Sequence, residues 1–373
     1  MDGQSVTDPV RRYVLLFGLL VAGGFAVPHV EAGWFDSPAT TRMKRSVAQL
    51  HPMAAGGVLL RNEYAQLFET IDDGRTWQKV GTRIRDLAVS NGDKLWAFHG
   101  WPGHHESPSA SMSYSSDRGR TWEEAKFSVP DVRSDEMYSY LPATFLNAPG
   151  DDPLVLMFNL QLVRPIPGKG PNAWPKVGVP VPDGSRPFGQ WYGAAAEYRG
   201  AYYVAYDSRL FMSVDGAKSW SALSVHYFVI ARIKCRLDRC FALLSELGSE
   251  WAGLFTVQAG QNDWKEVGTL AIGPVKAALA QIGRNRPLVE RFGPLDLLPT
   301  EQGVLIAGIV NAGPKPWGAV LRVREGSSLE AVGTSVDEGL WRLQQDAKRT
   351  IWAGGQGAFQ LRGDSWQQVW SGD

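Results

Sequence analysis

The chain has 373 residues with 38 basic and 38 acidic side chains, so its formal net charge is zero. This balance gives no reason to expect nucleic acid or an anionic membrane surface as a partner, since both attract strongly basic proteins. The composition includes 41 Gly, 23 Pro and 15 Trp, which favours short strands joined by tight turns.

The N-terminus has the pattern of an export signal. Arg11 and Arg12 precede an apolar run from Tyr13 to Val27, and small residues follow at Val30-Glu31-Ala32. A charged segment, an apolar core and a small-residue cleavage site are typical of a secretory signal peptide. We therefore predict a signal at 1–32, a short lead-in at 33–45 and an exported protein, periplasmic or secreted. An uncleaved N-terminal anchor is the alternative.

An eight-residue motif then occurs three times. Residues 70–77 and 115–122 both read Ser/Thr-x-Asp-x-Gly-x-Thr-Trp, and 213–220 is a diverged copy with Ala217 in the place of the glycine. The aspartate can accept hydrogen bonds from N–H groups further along the turn, and glycine provides a positive φ. The tryptophan can begin the next strand and bury its ring. The motif predicts a hairpin turn built on Asp72, Gly74, Trp77, Asp117, Gly119, Trp122, Asp215 and Trp220.

The spacing of tryptophans extends this repeat along the chain. Trp77, Trp122, Trp174, Trp220 and Trp264 follow one another at intervals of 44 to 52 residues, and Trp366 marks a later copy. Intervals of this length are typical of four-stranded propeller blades. The pattern predicts one all-β domain over 46–370, a seven-bladed β-propeller of antiparallel blades at 46–80, 84–128, 137–180, 191–225, 228–270, 292–334 and 338–370.

The eight-residue motif resembles the Asp-box, or BNR repeat, of sialidases, the sortilin ectodomain and photosystem II assembly-factor-like propellers. In these proteins the box is a structural turn, so the resemblance implies a fold and no catalytic residue. The closer resemblance, at the level of repeats over 46–370, is to the assembly-factor-like propellers, which are exported and bind membrane-protein partners. That resemblance implies a partner-binding role, although nothing in the chain implies photosynthesis.

The two cysteines, Cys235 and Cys240, flank the four residues 236–239. If Leu237-Asp238 is a two-residue hairpin turn, the cysteines form a non-hydrogen-bonded pair across two strands, at a separation that suits a disulfide. An exported protein meets the oxidising conditions that a disulfide needs. We predict the disulfide. Free thiols are the alternative, and a metal site would need further ligands nearby.

Binding residues are expected on the loops opposite the motif turns, around the central channel, because loops on a rigid scaffold carry most sites. One such loop contains His99, His104, His105 and Glu106, which we interpret as a polar tip, with metal binding as the alternative. Exposed aromatic residues and arginines there could contact a partner. The candidate binding face comprises Arg61, Tyr64, Arg85, Trp101, His104, His105, Arg133, Tyr138, Trp191, Trp251 and Trp317.

A sialidase would need three convergent arginines, a Tyr–Glu pair and an acidic residue. Arg85, Arg133, Arg186 and Arg291 lie near junctions between blades, but the Phe/Tyr-Arg-Ile-Pro motif of sialidases is absent. We therefore predict a monomeric, non-catalytic propeller without cofactor or metal, which binds a protein at or in the membrane and helps to assemble or stabilise a membrane complex. The alternatives are a carbohydrate-binding propeller and a sialidase-like glycosidase.

Overall fold

The computed structural model describes residues 38–99, 111–125, 142–146, 153–157, 162–166, 176–178, 195–198, 200–206, 209–216, 218–223, 229–236, 238–245, 252–282, 289–312, 315–326, 329–337 and 339–372. The α-helices in this part are α1 (Pro38–Arg45) and α2 (Ile272–Leu279), each of eight residues. A short 3-10 helix spans Asn91–Asp93. None of the described helices is long and apolar enough to span a bilayer. The predicted signal at 1–32 lies outside the described residues.

The first half of the chain forms four-stranded sheets in which sequential strands are antiparallel neighbours. The first contains β1 (Val47–Pro52), β2 (Val58–Asn62), β3 (Leu67–Thr70) and β4 (Gln78–Gly81). The second contains β5 (Ile84–Val89), β6 (Leu95–His99), β7 (Ser111–Ser115) and β8 (Glu123–Ala125). The third contains β9 (Pro142–Leu146), β10 (Leu154–Met157), β11 (Leu162–Val163) and β12 (Lys176–Gly178). The fourth contains β13 (Ala195–Tyr198), β14 (Ala201–Tyr206), β15 (Arg209–Ser213) and β16 (Ser221–Leu223).

The second half repeats this pattern. The fifth sheet contains β17 (Val229–Arg236), β18 (Arg239–Ser245), β19 (Ala252–Gln258) and β20 (Lys265–Thr269). The sixth contains β21 (Arg291–Thr300), β22 (Gly303–Asn311), β23 (Trp317–Val323), β24 (Glu330–Ala331) and the added β25 (Val336–Asp337). The last contains β26 (Leu340–Gln345), β27 (Ile351–Gly355), β28 (Gly357–Arg362) and β29 (Ser365–Trp370).

The first strand of each sheet contacts the first strand of the next sheet. The contacts run in order through β1, β5, β9, β13, β17, β21 and β26, and β26 returns to β1. A ring of antiparallel sheets with its first strands innermost is a β-propeller. The prediction of an all-β propeller with antiparallel blades is therefore confirmed.

Three tryptophans at the start of an outer strand contact the preceding sheet. Trp77 Nε1 donates to the carbonyl of Val369 at 2.8 Å, so the first sheet is joined to the last one. Trp366 Nε1 donates to the carbonyl of Val332 at 3.0 Å. Trp264 packs edge-on against Tyr203 at 5.8 Å between ring centroids. The tryptophan repeat thus corresponds to a repeated contact between blades; Trp174 lies outside the described residues.

The motif turns have the predicted hydrogen bonds. In the first turn, Asp72 Oδ1 accepts from the N–H of Thr76 at 2.9 Å, and Oδ2 accepts from the Thr76 hydroxyl at 2.6 Å. Asp117 and Asp215 accept the equivalent bonds from residues 121 and 219. The side chain and N–H of Thr76 lower the pKa of Asp72 to about 2, and Thr121 does the same for Asp117.

The three turns share a second position with positive φ, directly before the motif glycine position. Gly74 and Gly119 have φ of 82° and 85°, and each follows another residue with positive φ, Asp73 or Arg118. In the third turn a positive φ occurs at Gly216, one residue before Ala217. Gly216 therefore takes the conformation that Asp73 and Arg118 adopt with a side chain.

The disulfide is confirmed. Cys235 and Cys240 are paired across β17 and β18, next to the pair of Arg236 and Arg239 that closes the hairpin, and their sulfurs are bonded at 2.03 Å. The two-residue turn sets the register that places Cys235 opposite Cys240, as the sequence predicted.

Mass spectrometry should show this disulfide directly. We expect alkylation of the non-reduced, denatured protein to add no mass, because the described cysteines are both bonded. After reduction, two alkyl groups should be added. Alkylation of two thiols without reduction would contradict the disulfide.

Replacing Asp117 by Asn should lower the urea midpoint at about pH 7. Asn is uncharged and has only one acceptor oxygen, so it cannot accept both the N–H and the hydroxyl bond from Thr121. The folded pKa of Asp117, about 2, lies below the ordinary 3.8, so its stabilisation is present above pH 3.8 and is lost as the pH falls through the folded value. The difference between wild type and Asp117→Asn should therefore shrink between about pH 4 and pH 2.

Asp364→Asn provides the control, because this exposed aspartate lies in the turn before β29. Its midpoint should follow that of the wild type over the same pH range. An equal effect of the two substitutions on the urea midpoint would show that the hydrogen bonds of Asp117 do not stabilise the fold more than an exposed aspartate does.

Candidate functional site

The inner strands share a local irregularity at the channel wall. In β1, β5, β17, β21 and β26 the pairing with the second strand shifts by one residue near the strand start. Such a bulge re-aims the side chains that follow it. The residue after the shift is polar in all five strands: Gln49, Asp86, Arg232, Asp296 and Arg342.

Two of these side chains join the first three sheets. Gln49 Oε1 accepts from the N–H of Leu87 in β5 at 3.1 Å, and its Nε2 donates to Asp86 Oδ1 at 2.5 Å. Asp86 Oδ2 in turn accepts from the N–H of Phe145 in β9 at 3.2 Å. Each side chain therefore binds the main chain of the next inner strand.

The same arrangement closes the ring. Asp296 Oδ2 accepts from the N–H of Leu343 in β26 at 2.8 Å. Arg342 Nε then donates to the carbonyl of Ala48 in β1 at 2.6 Å. The first and last sheets contain no described strand from each other's part of the chain, so this side-chain bond helps to join the two ends of the ring.

Asp296 is also the carboxylate of a buried charge pair. It is 1% exposed, and its Oδ2 accepts from Lys234 Nζ at 2.9 Å, while Lys234 Nζ also donates to the carbonyl of Leu343 at 2.8 Å. Burial alone would raise the pKa of Asp296, but Lys234, Arg232 and Arg342 lower it below its usual value. Asp296 is therefore a charged carboxylate that holds two sheets together.

Positive charge exceeds negative charge along this wall. Burial, and to a smaller extent the positive charge of the nearby Arg232, lowers the pKa of Arg342 to about 9. Burial, together with Arg61, Lys234 and Arg342, lowers the pKa of His51 to about 3. His51 is consequently neutral at physiological pH, and the guanidinium groups carry the positive charge.

The structure places four of the eleven predicted binding residues. Arg61 lies at the channel wall, where its Nε donates to Gln49 Oε1 at 2.7 Å. Arg85 is the extra residue of the β5 bulge, and burial lowers its pKa. Tyr64 is 38% exposed on the predicted face. The other seven predicted residues lie outside the described part of the chain: Trp101, His104, His105, Arg133, Tyr138, Trp191 and Trp251.

Trp317 corrects the prediction of an exposed aromatic residue. It begins β23 and is only 1% exposed, because it packs into the apolar core of the sixth sheet with Val310 and Phe292. An apolar residue that begins a central strand is more readily buried than a loop residue.

The sequence prediction missed Lys234, Asp296 and Arg342, because it sought binding residues on loops. Each lies within an inner strand, between apolar neighbours such as Ile233 and Leu297. A charged residue inside an otherwise apolar strand was the signal that could have identified them. Among the residues that the structure describes, no three His, Cys, Asp or Glu side chains form a metal-binding group.

Comparison with known proteins supports the fold. No protein-family model and no curated protein sequence matches the chain. Among solved structures, "YCF48 bound to D1 peptide" is 15% identical with a TM-score of 0.57, covering 89% of this chain and 98% of that one. The GH74 xyloglucanase from Xanthomonas campestris is 15% identical with a TM-score of 0.62, covering 88% of this chain and 55% of the enzyme. This chain thus spans about half the length of the xyloglucanase, and at these identities the similarity shows a β-propeller fold alone.

Asp296→Ala tests the joint between the last two sheets. Removing the carboxylate leaves Lys234 without its buried counter-charge and the N–H of Leu343 without its acceptor. We expect the free energy of unfolding, measured by urea denaturation, to fall by about 3 kcal/mol.

Asp263→Ala is the matched control, because Asp263 pairs with Lys265 on the exposed surface. Its effect should be within about 0.5 kcal/mol of zero. A similarly small effect for Asp296→Ala would contradict the structural role of this carboxylate.

Proposed function

We propose that the chain is an exported, non-catalytic propeller whose seven sheets form one ring over 46–370 and whose loop face binds a protein partner. The partner is a protein at or in the membrane, and the propeller helps to assemble or stabilise its complex. The observation that carries this proposal is a preorganised surface on blade one, formed by Lys44 of α1 and by the exposed Tyr64, which we call the Tyr64 surface.

The Tyr64 surface has the composition of an interface hot spot. Lys44 Nζ lies 5.4 Å from the centroid of the Tyr64 ring. Aromatic side chains are enriched among the residues that dominate binding energy. An aromatic ring beside a cation suits a partner that presents apolar and acidic groups.

The loop that carries Tyr64 is held rigidly by the buried side chain of Asn62. Asn62 Oδ1 accepts from the N–H of Gln66 at 2.8 Å, and Nδ2 donates to Gln66 Oε1 and to the carbonyl of Lys44, both at 2.9 Å. The N–H of Glu63 donates to the carbonyl of Ser46 at 2.8 Å. Because the loop and α1 share these bonds, little conformational entropy is lost when a partner binds.

Two further observations support the proposal. The Cys235–Cys240 disulfide suits a protein exported to an oxidising compartment. The protein YCF48, which has a similar fold, was solved with a D1 peptide, so a propeller of this size can serve as a binding protein.

The environment of the channel carboxylates argues against the glycosidase alternative. A general acid must carry a proton at the working pH. The pKa of Asp296 is lowered, and its oxygens accept from the main chain and from Lys234. Asp86 likewise accepts main-chain N–H groups of Leu87 and Phe145. These bonds assign both carboxylates to the scaffold.

The test is in-cell cross-linking of the tagged chain, followed by purification and quantitative mass spectrometry. We expect wild type to enrich a membrane or envelope protein, and Tyr64→Ser to reduce that enrichment about tenfold or more through loss of the aromatic anchor. The two proteins should have the same melting temperature, since Tyr64 lies at the surface.

Ile71→Ser is the matched control, because Ile71 is 68% exposed on the opposite face, in the first Asp turn. It removes an exposed apolar side chain of similar type and should leave enrichment unchanged. Equal enrichment by wild type and both variants would show that the Tyr64 surface is not the binding site.

A further inference from the structure

Three guanidinium groups in the channel have neutral hydrogen-bond acceptors. Arg61 donates to Gln49 Oε1 and to the carbonyl of Asn62. Arg342 donates to the carbonyls of Ala48 at 2.6 Å and Trp341 at 2.8 Å, and Arg236 donates to the carbonyl of Pro299 and to Gln345 Oε1. These bonds fix the side chains without neutralising their charges, as an anion site requires.

Arg61 and Arg342 lie near each other at this wall, since, besides burial, the charge of Arg61 lowers the pKa of Arg342 and both charges lower the pKa of His51. They bind the consecutive residues Gln49 and Ala48 of β1, through Arg61 Nε and Arg342 Nε. The Nη2 atoms of both groups have no hydrogen-bond partner among the described residues. Lys234 joins them from the side of β17, because its Nζ lies 2.8 Å from the carbonyl of Leu343, the residue after Arg342.

His51 supplies a further polar group at the same place. It lies two residues after Gln49 in β1, and its Nε2 is shielded from solvent without a hydrogen-bond partner. Buried polar atoms are normally paired, so an unpaired one indicates a missing partner. Because His51 is neutral, its ring could donate to an anion without adding another positive charge.

The charges on the described side chains of this wall do not balance. Arg61, Arg232, Lys234 and Arg342 lie around two carboxylates, Asp86 and Asp296, and both carboxylates accept main-chain N–H groups. Arg85 and the exposed Glu63, which lie nearby, add one charge of each sign. Two positive charges remain among these described side chains, so a singly charged anion would leave one of them uncompensated. Like charges in a partly desolvated channel repel strongly, and a dianion relieves that repulsion best.

We propose that the channel binds a small oxyanion with two negative charges, of the phosphate type, between Arg61, Arg342 and Lys234. The anion can be free phosphate or the phosphate group of a small ester, since both present the same oxygens to the guanidinium groups. This site does not depend on the protein partner, because it lies inside the ring and the Tyr64 surface lies on the loop face.

Calorimetric titration of the full chain with inorganic phosphate, at constant ionic strength set by chloride, tests the site. We expect saturable binding by wild type, and Arg61→Gln should weaken it about tenfold or more. Arg61→Gln removes no bond between sheets directly, because both partners of Arg61 lie in the first sheet, but it removes one bond that holds the Gln49 side chain against β5, so its melting temperature is measured as well. Arg342→Gln should have a similar effect, and its melting temperature will show whether loss of the Ala48 bond also weakens the ring.

Arg349→Gln is the matched control, because Arg349 pairs with Glu301 on the exposed surface. Its affinity for phosphate should stay within about twofold of wild type. No binding above that of chloride, or equal binding by wild type and Arg61→Gln, would overturn the proposal.

Two further titrations identify the source of the anion. Binding of glycerol phosphate as tight as that of phosphate would assign the site to phosphate esters, whereas binding of phosphate alone would assign it to the free ion. Acetate binding as tightly as phosphate would overturn the requirement for two charges. Tyr64→Ser should bind phosphate normally, so failure of the partner-binding proposal and failure of this one are distinguishable.

Discussion

The ring depends on the bonds that four of the five post-bulge side chains make with the main chain of the next inner strand. Gln49, Asp86, Asp296 and Arg342 make this bond at four junctions, including the closure from the last sheet to the first. Among the described strands none crosses that closure, so the side-chain bonds there add to an isolated antiparallel bridge between Ser46 and Gln356. A bulge is the device that makes this geometry available, because it turns the next side chain out of the regular alternation.

These joints determine the electrostatics of the channel. Two of them use carboxylates, Asp86 and Asp296, which accept main-chain N–H groups, and Asp296 also pairs with Lys234. The guanidinium groups of Arg61 and Arg342 are held instead by carbonyl and amide oxygens. Among the described side chains of this wall, the cations therefore outnumber the carboxylates. Such stored repulsion is typical of binding sites, where a ligand completes the charge balance.

The sequence predicted what local patterns specify. Period-two alternation and turn residues located the strands, and a two-residue turn was enough to pair Cys235 with Cys240. The channel was not predicted, because the bulges that place Asp296 and Arg342 at its wall depend on the register between paired strands, which the residue pattern of one strand does not specify. Trp317 was wrongly placed at the surface for the same reason, since its burial depends on the residues that the ring brings around it. Short-range patterns carry no information on such contacts.

The inner and outer contacts of a blade point in opposite directions around the ring. At the outer edge, Trp77 and Trp366 bind the sheet that precedes their own. At the channel, Gln49 and Arg342 bind the sheet that follows. Each blade is thus held from both sides at different radii, which resists both sliding and tilting of one sheet against another. A scaffold braced in this way can keep the Tyr64 surface and the channel cations fixed, so that neither must be ordered when a ligand binds.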